Sequence, residues 1–289
     1  MVKNQWKPLS ESPMCCLICR SVVPESHGRA FLIDPAMKIQ TLTLTAVAAL
    51  IAGSASAQTY TVKLGGAYIQ PNANSSNFSG QLPSGAPTLD GVTLAVQAKS
   101  TVVFSVERAI NDNLGMELIL GAPPKHDVKL KVSDQVKAEA AARAMLGDTR
   151  GLLFSAYADK TIAQVKQVAP TLFFNYKYGS VSDAFRPYLG LGINYTKMDS
   201  ELTATGQQLY TAAHATSVKL KLSSSFAPAI QAGGSYKIDR NWSLNAGIVS
   251  TFVSSTLTVT TTSTDGTFAH KAQFDFMPVV YAASVGYSF

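Results

Sequence analysis

The chain ends on a strict two-residue alternation over residues 280–289. From Tyr281 onward every second residue is apolar, and the residues between are small or polar; the apolar set is Tyr281, Ala283, Val285, Tyr287 and Phe289. This period places one set on each face of a β-strand, which gives the strand one apolar face carrying aromatic rings. Such a strand at the end of a chain is typical of the closing strand of an outer-membrane β-barrel, although a soluble β-sandwich strand alternates in the same way.

A secretory signal peptide is indicated at residues 37–57. Met37 and Lys38 form a short basic start, an apolar run covers 42–52, and residues 55–57 read Ala-Ser-Ala, with cleavage expected before Gln58. The apolar run is too short to span a membrane as a helix. The pattern therefore predicts an exported protein with a mature chain of 58–289, in which any membrane span is built from strands.

All three cysteines precede this signal, at Cys15, Cys16 and Cys19. Their spacing is compatible with a metal or redox site. Their position ahead of the signal peptide favours the simpler interpretation that residues 1–36 are a spurious or non-mature N-terminal extension. The mature chain would then contain no cysteine and no disulfide.

Neither charge nor motifs indicate nucleic-acid binding or catalysis. The formal net charge of the whole chain is +6, without a basic stripe interleaved with aromatic residues, so we expect no nucleic-acid partner. The sequence has no Gly-x-Ser-x-Gly elbow, Walker loop or His-Glu-x-x-His motif. His126, His214 and His270 fall in or near predicted outer loops. We expect no enzyme activity, no catalytic residue, no metal site and no cofactor.

The mature chain contains eight segments with strand character. They are residues 59–70, 99–110, 114–121, 170–178, 186–197, 226–238, 242–253 and 273–289. The connections after the second, fourth and sixth segments are short, and the others are long. These features predict an all-β fold: a single-domain, eight-stranded antiparallel transmembrane β-barrel with short periplasmic turns and long extracellular loops.

Two of the long loops contain helix signals. Residues 133–147 begin with Ser-Asp, continue through an alanine-rich run and end at Gly147, which predicts one short loop helix outside the membrane. Residues 207–215 form a weaker helix candidate.

The alternation also predicts which side chains point into the barrel. Near the periplasmic end the inward set is charged and should pair to form a floor: Lys63, Glu107, Glu117, Lys177 and Lys237. In the outer half the inward set is mostly apolar and forms the candidate ligand-binding lumen: Ile69, Val103, Ile119, Phe173, Val249, Val253, Phe276 and Val280. An eight-stranded barrel is just wide enough for side chains to fill it. The apolar set could therefore receive a small hydrophobic guest, or it could pack on itself in a solid anchor.

Prolines interrupt several of the predicted strands or follow them directly: Pro123, Pro124, Pro170, Pro228 and Pro278. Proline removes a hydrogen-bond donor from the strand ladder. We hypothesise that one or more of them loosen strand pairing near the outer leaflet and let an apolar guest leave sideways into lipid. The alternative is that each proline merely ends or bends a strand.

Five stretches, in order along the mature chain, carry motifs of one known family. They read DNLGMEL at 112–118 followed by KHD at 125–127, APTL at 169–172, RPYLGLGINYT at 186–196, NWSLN at 241–245, and DFMP through GYSF at 275–289. Together they resemble the outer membrane protein W (OmpW) family. The resemblance implies an eight-stranded barrel with a narrow hydrophobic channel, associated with uptake of small hydrophobic molecules. The loop after His126 is longer than is usual for that family.

These observations predict an integral protein of the bacterial outer membrane that serves as a channel for passive uptake of small hydrophobic molecules. The alternative is a structural or adhesive surface anchor whose extracellular loops bind a partner. The expected partners are outer-membrane lipid, small hydrophobic molecules and, during biogenesis, the barrel-assembly machinery. We expect a monomer.

Overall fold

The computed structural model describes residues 59–78, 91–147, 152–264 and 266–289. The predicted N-terminal extension and the signal peptide lie outside these described residues, and both stay predictions.

The described chain is built mainly from strands. The strands are β1 Tyr60–Gln70, β2 Val92–Val96, β3 Lys99–Ala109, β4 Leu114–Gly121, β5 Lys125–Val132, β6 Thr161–Val168, β7 Thr171–Lys177, β8 Phe185–Leu202, β9 Ala215–Leu222, β10 Ser225–Lys237, β11 Trp242–Thr251, β12 Val253–Ser263, β13 Gly266–Phe276 and β14 Val279–Ser288. The helices, numbered here in chain order, are α1 Asp134–Met145, α2 Leu152–Ala156 and α3 Ala204–Ala212. No helix in these ranges is long and apolar enough to cross a membrane.

Eight of the strands close into an antiparallel barrel. Their order around the wall is β1, β3, β4, β7, β8, β10, β11 and β14, and β14 pairs back onto β1 from Val279 to Ser288. The final alternating segment is therefore the closing strand, as predicted from its period. Closure gives every wall strand a partner on both sides, so the barrel has no open edge.

The two-residue alternation separates the two faces of the wall, with the predicted parity on all eight strands. Outward side chains are large, apolar and strongly exposed; Leu64, Leu191 and Phe226 are 60%, 71% and 78% exposed. The inward side chains that face the lumen, including Phe173 and Asn194, are buried. An outer surface of this kind is stable in contact with lipid.

The short connections lie at the end of the barrel where β1 begins and β14 ends. In the turn before β4, Asn111 Oδ1 accepts hydrogen bonds from the backbone N–H groups of Asn113 and Leu114, at 2.9 and 2.7 Å. In the turn before β11, Asp239 Oδ1 accepts from Asn241 and Trp242 in the same way. These side chains satisfy backbone donors that a tight turn leaves free. By the short-turn rule this end is periplasmic.

The extracellular connections contain more structure than the sequence analysis predicts. Strands β2, β5, β6 and the outer half of β8 form one sheet, and β9, β12 and β13 form another. The short segment around Asn74 and Ser75 bridges β2 to β13. The two sheets share one apolar core, whose buried members include Val92, Leu94, Val128, Leu130, Val132, Ile162, Ala163, Leu209, Leu257, Val259 and Phe274.

Both predicted loop helices are present. Ser133 Oγ accepts a hydrogen bond from the backbone N–H of Val136 at the start of α1, and Thr203 Oγ1 accepts from Gly206 at the start of α3. The weaker candidate starts and ends about three residues earlier than predicted, and α2 was not predicted.

The last two predicted strands extend too far. β11 ends at Thr251, and after Phe252 the chain enters β12 of the extracellular sheet. Likewise residues up to Phe276 belong to β13, and the barrel strand starts only at Val279, after the break at Met277 and Pro278. Proline has no N–H to continue the ladder, which explains the break at Pro278.

Candidate functional site: an apolar cavity above a charged floor

The barrel interior contains a cavity of about 140 Å³. Six of the eight predicted lumen residues line it: Ile69, Val103, Ile119, Phe173, Val249 and Val280. They come from six different strands, and inward alternation brings them together around one space. Phe173 is completely buried. Their role in ligand binding stays a prediction.

Val253 and Phe276 do not line this cavity, so their assignment to the barrel lumen is wrong. They pair with each other across β12 and β13, beyond the top of the barrel. Val253 is buried, and Phe276 packs against the extracellular core. The alternation gives both residues an inward parity. It does not show that the wall strand β11 ends at Thr251, two residues before Val253, or that the wall strand β14 begins only at Val279, three residues after Phe276.

Four of the five predicted floor charges form one buried ion cluster. Lys63 Nζ lies 2.7 Å from Glu107 Oε2 and 2.8 Å from Glu117 Oε1, and Lys177 Nζ lies 2.6 Å from Glu107 Oε1. Two ammonium groups thus balance two carboxylates. A buried charge is tolerated when it is paired, and both carboxylates of this cluster have an ammonium partner within 2.8 Å.

Neutral side chains hydrogen-bond the Glu117 carboxylate of this cluster. Ser105 Oγ donates to Glu117 Oε1 at 2.7 Å, and Asn175 Nδ2 donates to Glu117 Oε2 at 2.8 Å. Gln231 Nε2 donates to the same oxygen at 3.3 Å and also to Asn175 Oδ1. The resulting network spans the interior from β1 to β10 and closes the lower lumen.

Lys237 does not join this cluster, contrary to the prediction. Its Nζ donates instead to the backbone carbonyl of Val181 in the periplasmic turn. Arg186, which the sequence analysis does not single out, is buried nearby. Its guanidinium donates to the carbonyl oxygens of Asp112 and Gly179, at 2.7 and 3.2 Å. These hydrogen bonds connect two periplasmic turns. The sequence feature that could have identified Arg186 is its inward position in the alternation of β8.

Tyr188 is a second inward residue that the sequence analysis does not single out. Its ring lies 5.9 Å from Lys63 Nζ, at the boundary between the charge cluster and the apolar space. Its hydroxyl lies beside Gly233 and Gly247, where an added Cβ would come within 2.6 and 2.8 Å of it. The two glycines face each other across β10 and β11 and leave room for the phenol.

The wall beside the cavity is interrupted between β4 and β7. Their ladder stops at the pair Ile119–Thr171, and pairing of the continuing strands resumes only at Lys125–Lys166. The intervening residues 120–124 and 167–170 include Pro123, Pro124 and Pro170. Several of them, Gly121, Pro124, Gln167 and Ala169, also line the cavity. The cavity therefore reaches a stretch of wall with few backbone hydrogen bonds.

The three histidines of the predicted mature chain lie on different elements: His126 on β5, His214 in the turn before β9 and His270 on β13. His126 is buried in β5, and its Nδ1 lies 2.9 Å from the Gln97 carbonyl oxygen. Burial lowers the pKa of His126 and of His270, which favours neutral imidazoles. Among the described residues, no group of three or more His, Cys, Asp or Glu side chains could hold a metal ion.

Comparison with known proteins identifies one family. The family model described as OmpW family matches residues 57–289. Outer membrane protein W of Escherichia coli strain K12 is 28% identical over 216 residues, which cover 73% of this chain and 82% of that protein. Outer membrane protein W of Vibrio cholerae is 25% identical over 197 residues, covering 68% and 76%.

A solved structure supports the same assignment. The crystal structure of the outer membrane protein OprG from Pseudomonas aeruginosa superposes with a TM-score of 0.62 and 26% sequence identity. The match covers 81% of this chain and 96% of that one.

Proposed function

The chain belongs to the OmpW family of outer-membrane β-barrels, and we propose on that basis that it mediates passive uptake of small hydrophobic molecules through the upper lumen. The observation that carries the proposal is the cavity of about 140 Å³, into which six wall strands each point an aliphatic or aromatic side chain. A pore for water and ions would have a polar lining throughout. An apolar lining favours an apolar guest, since binding removes apolar surface from water.

We propose that the guest leaves sideways. The buried ion cluster lies across the direct route to the periplasm, and moving a guest through it would separate paired charges in a confined space. The interrupted ladder between β4 and β7 adjoins the same cavity. Parting strands there breaks fewer hydrogen bonds than elsewhere in the wall, which supports exit into the membrane at this point. Of the prolines proposed to loosen strand pairing, this proposal therefore concerns Pro123, Pro124 and Pro170.

No enzymatic role is proposed. The family and the fold are those of outer-membrane barrels, and His126, His214 and His270 lie on β5, in the turn before β9 and on β13, respectively. The proposed transport needs no cofactor and no energy source, because a concentration gradient drives it.

A surface-anchor role is the second candidate, and the extracellular sheets favour it. Their shared apolar core makes them a firm platform for contacts outside the membrane. The two functions differ in what they require. An anchor would tolerate a filled lumen and would fail when the outer surface of the sheets is altered.

A matched pair of substitutions on β11 tests the uptake proposal. Val249 lines the cavity, whereas the adjacent Ile248 is 48% exposed on the outer face. Val249→Trp should fill the lumen and lower uptake of a radiolabelled aromatic hydrocarbon into whole cells at least tenfold, and Ile248→Trp should leave uptake unchanged. Equal uptake by both variants at equal levels of folded barrel, judged by electrophoretic mobility before and after heating, would contradict a lumenal route.

A further inference from the structure

The cavity has two chemically different ends. Its upper part is lined by the apolar residues described above together with Thr101, Gln167, Thr171, Asn194 and Thr251, of which Thr101, Thr171 and Asn194 are hydrogen-bonded within the protein. Its lower part is lined by polar residues that include Lys63, Tyr188, Gln231, Asn245 and Ser284. A purely apolar guest that filled this space would cover the polar groups without bonding to them. Covering hydrogen-bonding groups in this way costs free energy.

Three of the lower groups have hydrogen-bonding capacity that the protein does not use. Among the described residues, the Tyr188 hydroxyl and Ser284 Oγ have no hydrogen-bond partner, and Asn245 bonds only through Nδ2, to Ser243 Oγ at 3.2 Å. Asn245 and Ser284 are directly paired across β11 and β14. Gly247, whose position the phenol overlies, is the next inward residue above Asn245 on the same strand. The three groups therefore lie around the lower end of one space.

From this arrangement we infer that the preferred guest is a small amphiphile with a neutral hydrogen-bonding head, such as an alcohol, held head-down at Tyr188, Asn245 and Ser284. Its tail then lies among the aliphatic and aromatic residues above. The inference rests on the proposed uptake function and specifies its substrate class. A hydroxyl both donates and accepts, which suits a phenol, an amide oxygen and a serine hydroxyl together.

The charge balance of the floor explains why the head is neutral. Lys63 and Lys177 are already balanced by Glu107 and Glu117 at distances of 2.6–2.8 Å. A carboxylate head would add an unpaired negative charge beside this cluster, and an ammonium head an unpaired positive one. An unpaired buried charge is strongly unfavourable.

The cavity volume of about 140 Å³ limits the guest to about the size of a single aromatic ring. An apolar cavity of about 150 Å³ in another protein binds benzene. Toluene, benzyl alcohol and benzoate therefore form a suitable probe series. They share one ring and differ in whether the head is absent, neutral or charged.

The experiment is a titration of the full-length folded protein in phospholipid nanodiscs with each probe. Binding is followed by NMR contacts between the probe ring and the methyl groups of Val249 and Ile119, with affinities referred to the probe concentration in the lipid. Benzyl alcohol should bind most tightly. Tyr188→Phe should weaken its binding about fivefold, the effect of one hydrogen bond, and leave toluene unchanged.

Two further variants make the result decisive. Ser284→Ala should weaken benzyl alcohol binding in the same selective way if Tyr188→Phe fails to fold. Tyr176→Phe removes a hydroxyl from an outward ring that is 46% exposed, and should have no effect.

The outcomes separate this inference from the uptake proposal. Equal binding of toluene and benzyl alcohol, unchanged in the variants, would overturn the head-group site and leave uptake of apolar molecules intact. Tightest binding by benzoate would overturn the requirement for a neutral head. Failure of all three probes to contact the lumen would contradict both proposals.

Discussion

Replacing Glu107 by glutamine should destabilise the folded barrel by about 3–5 kcal/mol, the usual consequence of removing one member of a buried ion cluster. Glu107 lies within 2.7 Å of both Lys63 and Lys177, and only 2% of its side chain is exposed. The substitution keeps the shape of the side chain but removes its charge. The buried Lys63 and the partly exposed Lys177 would then be balanced by the single carboxylate of Glu117.

A second substitution should recover part of this loss. Glu107→Gln with Lys177→Met leaves one cation and one anion, Lys63 and Glu117, which are 2.8 Å apart. The double variant should therefore be about 1–3 kcal/mol more stable than Glu107→Gln alone, the range that contacting charges show in double-mutant cycles. Lys177 is 24% exposed, so part of its charge is already solvated and the recovery is partial.

Guanidinium unfolding in phospholipid vesicles, followed by the fluorescence of Trp242, provides the free energies. Glu201→Gln is the matched control, because it removes a carboxylate from the solvent-exposed pair with Lys125, 3.2 Å apart. That change should cost less than about 1 kcal/mol. A loss below 1 kcal/mol for Glu107→Gln, or losses that simply add in the double variant, would refute the idea of a coupled floor.

Three further predictions follow from single contacts. Gly247→Ala places a Cβ 2.8 Å from the Tyr188 hydroxyl and should destabilise the barrel by about 1–3 kcal/mol through overpacking, measured in the same unfolding assay. Two backbone N–H groups lower the pKa of Asp239, so its contribution to stability is full above about pH 4 and is lost as pH falls further; Asp239→Asn should flatten that part of the pH profile. Burial lowers the pKa of His126, so its contribution to stability should be full above about pH 6.5 and should fall below that pH as the unfolded chain takes up a proton. His126→Phe should reduce the slope of stability against pH in this range. An unchanged slope would show that His126 is not the source of this pH dependence.

The barrel itself can be predicted from the sequence because period-two alternation is local. Each wall strand carries its own outward apolar set, and the parity of all eight strands agrees with the structure. The ion cluster follows from the same parity, since Lys63, Glu107 and Glu117 must all point inward from neighbouring strands. Which carboxylates Lys63 contacts depends on the tertiary structure, and the alternation alone does not predict it.

The extracellular sheets are harder to predict, although their strands alternate too. β12 places Val253, Leu257 and Val259 on one face, and β5 places Val128 and Leu130 on one face. The alternation does not indicate whether a strand belongs to the wall or to a sheet above it. That is decided by short breaks, such as the one at Pro278, and by packing against a distant sheet. Val253 and Phe276 are misplaced for this reason.

Tyr188 illustrates a further limit for the site. Its inward parity is evident, but its importance depends on Gly233 and Gly247, which lie 45 and 59 positions further along the chain. Only the closed barrel brings the two glycines under the phenol.

The central claim is that the inward face of the wall encloses a space for an apolar ring inside the barrel. The most direct measurement is the anomalous bromine signal in crystals of the protein soaked with bromobenzene. The account predicts a peak in the upper lumen, within van der Waals distance of Ile119, Phe173 and Val249. Bromine peaks confined to the lipid-facing surface, with none inside the barrel, would contradict it.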